Sequence, residues 1–583
     1  MSVVESMEDF VNDFHTSLRE NVLNVVPVDS TSRSSVEEVF NGFNNPFSDF
    51  NTDTKWRKYF SEKWGVVEPI EIHLGVRYDS RRNKISGMYE QTTVNDTFIY
   101  IPLLKTLEFI FRNDKVCNLI QEERQSDMYC DFCDGQYYKK HPLYSIFGTI
   151  SQITGDNLGL NSILGYVESF SAKHYCRLCL TDKVLAQEVF SEDDPRMILR
   201  NRNLNEEHYK YLADNPNENS CYGVKRNSIL NTLTYFNVSD NFVLDIMHDI
   251  LEGVAQYEVK LLFEYMSCNL ISGDSIPQRL YAFNYGFLER NNRPTKVNLQ
   301  QAGNNIGLNA SQTWCLIKNI PLIFGDVVPV GDKHWHLMLL LLHIVNIIFS
   351  PCISEGMIIF LKHLIKEHHQ LFKDLYPRNL IPKHHLMIHY PECIRQIGPL
   401  IHVWTMRYEA KHRFFKKNLK NFKNLTKSLA KKHQLAIAYH WESCTIRGIE
   451  SGPVSNELLS DLENSDFISE QLQIDISSEV MVTPWVKCQG IEYRSGLVVF
   501  LEFVDDAPVF GKIVKIFIKD GIYFLVSCME SEFIEHLHAF SVVEQEHCLV
   551  LKKPEELMYY KPFDLQMSYG NDHLFYIVVD CYL

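Results

Sequence analysis

The sequence predicts an α+β fold that is mostly helical and ends in a small all-β, barrel-like domain. The 583 residues are enough for several domains. Most of 181–445 has apolar residues three or four positions apart, as in 245–266 and 356–375, which is typical of helices that bury one face. After residue 485 apolar and polar residues alternate instead, which is typical of strands.

The domain organisation follows from changes in composition along the chain. A Ser- and Asn-rich stretch predicts a poorly ordered tail over residues 1–45. An N-terminal helical region is expected over 46–145, with Pro102 near the start of its clearest helix. A core domain is expected over 146–445, with a helical insertion at about 181–380. An acidic linker over 446–484 and a separate β-domain over 485–583, with a hairpin turn at 519–522, complete the prediction.

Charge and cysteine content limit the classes of function. The net charge of −16 excludes DNA binding by bulk charge, so any nucleic-acid surface must be a local patch. Fifteen cysteines spread along the chain favour a reducing compartment, nuclear or cytoplasmic, in which thiols pack in cores or bind metals. The most apolar stretch, 338–349, is shorter than a membrane span. We therefore expect it to be a buried core helix and expect no membrane partner.

Two residue pairs form a candidate metal centre. Cys176 and Cys179 are a C-x2-C pair, which supplies two thiolates from one turn. His384 and His389, an H-x4-H pair interpreted as sharing a helix face, are the chosen partners. A Cys2His2 set would hold a structural zinc ion, because it leaves no open coordination position. The alternative is that each pair stands alone as ordinary core residues, and Cys130 and Cys133 compete as a second C-x2-C pair.

The segment 405–433 holds ten Lys or Arg and a single acid, Glu409. A helix with this composition would be a local anion-binding surface, and DNA phosphate is the expected ligand. A solvated basic face without a partner is the alternative. The predicted DNA-binding residues are Arg407, Lys411, Arg413, Lys416, Lys417, Lys420, Lys423 and Lys427.

Upstream acids are candidates for metal-dependent phosphoryl transfer on DNA, which commonly needs several carboxylates around two divalent ions. Asp156 follows an apolar run and precedes glycines, although the same pattern is a common turn. Asp245, His248 and Asp249 lie on successive turns of a predicted helix. They are weaker candidates, because Asp245 could equally cap that helix and His248 could be a core residue.

Three blocks carry a resemblance to a known family: CRLCL at 176–180, NVSDNFVLDIMHDILEGVAQYEVKLLFEYM at 237–266, and the segment 381–425 that begins IPKHHLMIHYPEC. Together they resemble CACTA (En/Spm-like) transposases and their animal transposon-derived relatives, from about residue 70 to the C-terminus. The resemblance implies an RNase H-like core in which Asp, Asp and Glu hold magnesium. It implies that Asp156 is the second Asp and that Glu409 is the Glu. The order of carboxylates, thiols and imidazoles is also similar to that of the V(D)J recombinase.

One departure from the family pattern limits the expected activity. The block that would follow Ser145 and carry the first catalytic Asp is absent, so the RNase H-like core is expected to be truncated. The resemblance therefore implies a nuclear, DNA-binding protein whose strand cleavage and transfer are lost or impaired, with magnesium bound only if activity remains. A homo-oligomer is also expected. The alternatives are a protein-interaction scaffold that uses the helical insertion and the β-domain, and an enzyme in which another acid, such as Asp134 or Asp245, replaces the missing one.

Overall fold

The computed structural model describes residues 66–82, 89–110, 137–140, 145–148, 150–294, 296–299, 303–376, 380–417, 425–442, 450–488, 490–505, 507–571 and 573–581, together with 31–42 and isolated residues before 60. The backbone forms two compact units. One comprises 1–133, 137–147 and 412–445, and the other comprises 134–136, 148–411 and 446–583.

Helices dominate the described residues, and strands concentrate near the C-terminus. The α-helices are α1 Thr31–Asn41, α2 Leu103–Ile110, α3 Asn157–Leu164, α4 Arg202–Asp214, α5 Ala255–Asn269, α6 Ser275–Ala282, α7 Ala310–Phe324, α8 Lys333–Ile348, α9 Glu355–Leu375, α10 Pro382–Met387, α11 Tyr390–Ile397, α12 Met406–Lys417, α13 Leu425–Glu442 and α14 Ser465–Leu472. A π-helical segment, Met247–Val254, runs directly into α5. The described helices and strands are thus those of a mostly helical α+β protein, as predicted.

The strands form one large sheet and several small ones. They are β1 Ile70–Arg82, β2 Tyr89–Tyr100, β3 Tyr137–Lys140, β4 Ser145–Gly148, β5 Glu450–Ser451, β6 Ser455–Leu458, β7 Glu479–Thr483, β8 Trp485–Cys488, β9 Ile491–Arg494, β10 Val498–Val504, β11 Ala507–Ile518, β12 Ile522–Ile534, β13 Ala539–Lys552, β14 Gln566–Met567 and β15 Phe575–Ile577.

The described part of the first unit contradicts the helical region predicted over 46–145. Strands β1 and β2 pair along their whole length as an antiparallel hairpin, and α13 packs on β2. The TTV and TFIY runs of β2 are rich in β-branched and aromatic residues, which favour a strand over a helix. The helix expected near Pro102 is present among the described residues as α2, and residues 111–121 of that pattern lie outside the described residues. Helix α1 lies within the predicted tail, and the rest of that tail lies largely outside the described residues.

The helical core of the second unit is built around α8. Asp332 begins this helix by accepting hydrogen bonds from the backbone N–H groups of His334 and Trp335, at 2.8 and 2.9 Å, which is how an N-terminal cap satisfies free donors. The run MLLLLHIVNII of α8 is almost wholly buried, which confirms the prediction of a core helix. No helix among the described residues is long and apolar enough to cross a membrane.

The C-terminal region is a curled, half-barrel sheet. Its strand order is β14-β15-β13-β12-β11-β7-β6, and β10 also pairs with β11. The predicted hairpin turn is confirmed, since Ile518 pairs with Ile522 across residues 519–521. Asp520 has a φ of 47° at this turn, a left-handed conformation that Asp tolerates better than most residues.

Two boundaries predicted for this region are wrong. The acidic segment 446–484 is no linker, because β6 and β7 join the large sheet and α14 packs beneath it. The β-domain is also not separate from the helices. Trp335 on α8 donates a hydrogen bond to the carbonyl of His536, at 2.9 Å, and Ala539 and Tyr576 are buried in the helical core. The alternation of apolar and polar residues along a strand does not show which surface the sheet packs against. The sequence therefore did not predict this contact.

Candidate metal centre

Four buried side chains from distant parts of the second unit form a cluster that could hold a metal ion: Cys176, Cys179, His385 and His389. Their ligand atoms all lie within 4.8 Å of one another. Cys176 Sγ is 3.6 Å from His389 Nε2, and Cys179 Sγ is 3.2 Å from His385 Nε2. Two sulfurs and two nitrogens at these separations match the donor set of a four-coordinate zinc site.

The loop that carries the two thiols is held by its neighbours. The N–H of Leu178 points at Cys176 Sγ, at 3.3 Å. Cys179 lies in a backbone bridge with Leu199, and the Arg200 guanidinium donates to the carbonyl of Cys176, at 3.1 Å. The thiol loop is therefore held by the Leu199 backbone and the Arg200 side chain as well as by its own turn.

The imidazoles come from α10 and from the residue that precedes α11. His385 lies within α10, and His389 directly precedes α11. The Nδ1 of His389 is hydrogen-bonded to the carboxylate of Glu192. Such a carboxylate fixes the ring so that its other nitrogen faces the metal. Glu192 was not among the predicted site residues, because nothing in its local sequence distinguishes it from other acids.

The charges within the cluster also fit a cation. Burial lowers the pKa of His389, but the charge of Cys176 and the Glu192 carboxylate outweigh burial and raise this pKa to about 9. Burial raises the pKa of Cys176, but Cys179 and the two imidazoles outweigh it and the net pKa falls well below its usual value. Without a metal ion the cluster therefore pairs a Cys176 thiolate with a protonated His389, and a bound metal ion would take the place of that proton.

The predicted ligand His384 is wrong. Its Nε2 lies 2.8 Å from the Glu258 carboxylate, whose other oxygen lies 3.0 Å from His368. Residues four apart on a helix are rotated by roughly 40° from each other and residues five apart by roughly 140°. His385 and His389 are four apart, whereas His384 and His389 are five apart, so helix geometry favours His385 even though α10 ends at Met387, before His389.

The competing pair Cys130 and Cys133 lies outside the described residues.

Glu258, His368 and His384 form a buried network of their own. Burial raises the pKa of Glu258, but the two imidazoles outweigh burial and lower this pKa to about 2. The contacts of Glu258 with His368 and His384 join α9 and α10 to α5.

The predicted second Asp lies close to the thiol loop. Asp156 begins α3 and accepts a hydrogen bond from the N–H of Gly159, at 2.7 Å, with its side chain exposed. The next residue, Asn157, is buried and accepts from Arg177, at 2.8 Å. Arg177 lies between the two cysteines and also donates to Asn161, at 3.5 Å, so two side-chain hydrogen bonds join α3 to the metal loop.

The predicted Glu lies beside one of the weaker candidates. Glu409 on α12 is half exposed, and its Oε1 is 3.4 Å from His248 Nε2. The other nitrogen of His248 is hydrogen-bonded to the buried carboxylate of Asp245. Asp245 also accepts from the backbone N–H and the hydroxyl of Thr405, at 3.0 and 2.5 Å. Asp245 therefore binds the residue that precedes α12 and does not cap its own helix, which was the alternative that the sequence offered. His248 is partly buried and hydrogen-bonded.

Asp249 is the third of the weaker candidates and is fully buried. It accepts a hydrogen bond from Asn157 Nδ2, at 2.6 Å, and from the Tyr390 hydroxyl, at 3.3 Å. Burial raises its pKa to about 6. In the π-helical segment, His248 therefore contacts α12, which carries Glu409. The next residue, Asp249, contacts α3, which starts after Asp156.

The described basic residues divide into two groups. Arg407, Lys411 and Lys416 are exposed along α12. Lys427 on α13 is instead in an ion pair with Glu71, at 2.9 Å, so it is not the free DNA contact that the sequence predicted. The side chains of Arg413 and Lys417, and the whole of Lys420 and Lys423, lie outside the described residues.

No protein-family model, curated protein or solved structure matches this chain.

Proposed function

We propose that this chain is a transposase-derived DNA-binding protein that holds one structural zinc ion and has lost, or strongly impaired, strand cleavage and transfer. The observation that carries the proposal is the buried Cys2His2 cluster. It joins the loop after the Asp156 helix to the segment before Glu409, in the order of residues that the resemblance to CACTA transposases implies.

Zinc is the metal that this donor set favours. Two thiolates and two imidazoles without a free position suit a tetrahedral structural ion. Such an ion stabilises the fold by linking segments about 200 residues apart in sequence, because the unfolded chain has no preformed site. The residues that would hold the ion are Cys176, Cys179, His385 and His389, and Glu192 orients His389.

The described acids support impaired catalysis. A two-metal site needs several carboxylates that converge on a shared point. Among the described residues, the Cys2His2 cluster is the only group of three or more such ligands found within mutual reach. Asp245 and Asp249 are both engaged in buried hydrogen bonds, so neither is free to replace the missing first Asp. A truncated RNase H-like core remains part of the proposal, although the described residues of 150–411 contain only isolated bridges and no continuous strand.

DNA contact is proposed for the exposed face of α12. Arg407, Lys411 and Lys416 project from one helix within an acidic protein, and a cluster of this kind attracts phosphate by releasing counterions. Lys427 and Lys431 contribute less, because each is paired with a glutamate of the first unit.

A salt titration of duplex binding tests this proposal. The full chain is expected to bind DNA with an affinity that falls steeply as salt rises, and Lys411→Glu with Lys416→Glu should weaken binding and reduce the salt slope by about 2. Lys210→Glu with Lys366→Glu, an equal charge change at exposed sites on α4 and α9, is the control for net charge. DNA binding that is insensitive to salt, or equally weakened by Lys210→Glu with Lys366→Glu, contradicts the proposal.

A second candidate function is a protein-interaction scaffold that uses the C-terminal sheet. Phe503 and Val504 at the tip of the β10–β11 hairpin are 46% and 50% exposed, and exposed apolar residues at one site are typical of contact surfaces. Partner binding that survives the two α12 substitutions but is lost on Phe503→Ser with Val504→Ser would favour this function over DNA binding.

A further inference from the structure

A cleft of about 330 Å³ lies between the helical part of the second unit and its C-terminal sheet. Its walls come from the loop 285–291, from α7, from β9 and from the segment 561–580. The volume lies at the lower end of the range for small-molecule sites. Neither the metal cluster nor the basic helix α12 lines it.

A buried acceptor without a described partner faces this cleft. Asn319 on α7 lines the cleft and is 1% exposed, and no described residue donates a hydrogen bond to its Oδ1. Its Nδ2 donates to the carbonyl of Cys315, at 2.7 Å, which fixes the orientation of the amide. A buried acceptor left without a donor costs about 1–3 kcal/mol, so this group favours a ligand that brings an N–H or O–H.

The neighbouring residue Lys318 lies among carboxylates. Its ammonium is bound to Glu289, which also accepts from Asn292, at 3.0 Å. Burial lowers the pKa of Lys318, but the charges of Glu289 and Asp580 outweigh burial and raise it. The lining of the cleft as a whole carries one more carboxylate than cations: Glu289, Glu492, Asp564 and Asp580 against Arg290, Lys318 and Lys561.

The cationic groups at the rim are already paired. Lys561 lies 3.8 Å from the Asp580 carboxylate, and Arg290 lies 3.6 Å from Glu492. Arg290 also stacks over the ring of Phe287, at 3.7 Å from its centroid. Phe563 and Val578 add apolar surface that suits a methylene chain.

We infer that this cleft binds an alkylammonium group, supplied either by a free diamine or by the lysine side chain of a peptide. The ammonium donates to Asn319 Oδ1 and pairs with the Asp580 carboxylate, while its methylene groups pack on Phe563 and Val578. This inference is independent of the proposed DNA binding and of the zinc ion.

Calorimetric titration of the full chain tests the inference with three probes: 1,5-diaminopentane, N-acetyl-lysine methylamide and glutarate. Both amines are expected to bind and glutarate, a dianion of similar length, is not. Asp580→Asn should weaken amine binding by about tenfold or more, since a hydrogen bond to a charged group is lost. Asp274→Asn, at an exposed site before α6, should leave binding unchanged.

Val578→Trp is the second variant, designed to fill the cleft without changing charge. It should abolish amine binding while thermal unfolding shows that the protein is folded. Tighter binding of the lysine derivative points to a peptide, and tighter binding of the diamine points to a free amine; both support the site. Failure of both amines, preference for glutarate, or binding unaffected by Asp580→Asn and Val578→Trp overturns it.

Discussion

Cys179 Sγ lies 3.2 Å from His385 Nε2, although 206 residues separate the two in sequence. The neighbouring histidine, His384, points away to Glu258. A one-residue difference along α10 thus separates a candidate metal ligand from a residue that stabilises the helix core.

The first prediction uses this difference. His385→Ala removes a ligand, so purified protein should contain much less than one equivalent of zinc by elemental analysis. His384→Gln should retain zinc, because Gln replaces the hydrogen bond to Glu258 and no ligand is lost. Loss of zinc from His384→Gln but not from His385→Ala would contradict the assigned ligands.

The second prediction concerns Glu192. Glu192→Gln removes the charge that orients His389 and should weaken zinc affinity by about 10- to 100-fold, as is usual for such outer-shell carboxylates. Competition with a chromophoric zinc chelator measures the change. Asp193→Asn, which removes the adjacent exposed carboxylate paired with Lys362, is the matched control and should bind zinc normally.

The third prediction concerns the start of α12. Thr405→Val keeps the side-chain shape but removes the hydroxyl that donates to the buried Asp245 carboxylate. The free energy of unfolding should fall by about 2 kcal/mol, the usual cost of losing a hydrogen bond to a charged group. Urea denaturation measures it. Thr426→Val at an exposed site on α13 should change stability by less than about 0.5 kcal/mol.

The fourth prediction is a pH dependence of the contact between the sheet and the helices. His538 is buried, and its Nε2 accepts a hydrogen bond from Asn346, at 3.0 Å. Burial and the charge of His343 lower its pKa from 6.5 to about 3. The folded protein therefore holds His538 neutral. Its contribution to stability is complete above pH 6.5 and is lost as the pH falls towards 3.

His538→Asn tests this pH dependence, since Asn tolerates the left-handed backbone at this position. Between pH 7 and pH 5 the wild-type chain should lose about 2 kcal/mol more than the variant. His573→Asn, at an exposed site, should follow the wild type. Parallel stability curves for wild type and His538→Asn would exclude a buried neutral His538.

Local patterns in the sequence determined much of the secondary structure. The apolar run 338–349 was predicted as a core helix from its length and composition, and the turn at 519–521 needed residues that tolerate a positive φ. The two thiols were also identifiable, because C-x2-C is a local motif with a chemical reason for its spacing. The strands of β1 and β2 were missed, since a short apolar run fits a helix or a strand equally well.

Tertiary structure alone decided which groups meet. Asp245 could cap its own helix or bind a metal, and only the approach of Thr405, 160 residues later, decides that it binds the residue before α12 instead. The acidic segment 446–484 has the composition of a linker. It is nevertheless part of the fold, because its strand β7 pairs with residues 516–518 of β11. Composition and periodicity describe one segment at a time. The ligand His385, the orienting Glu192 and the docking of His536 on Trp335 each depend on contacts between segments far apart in the chain.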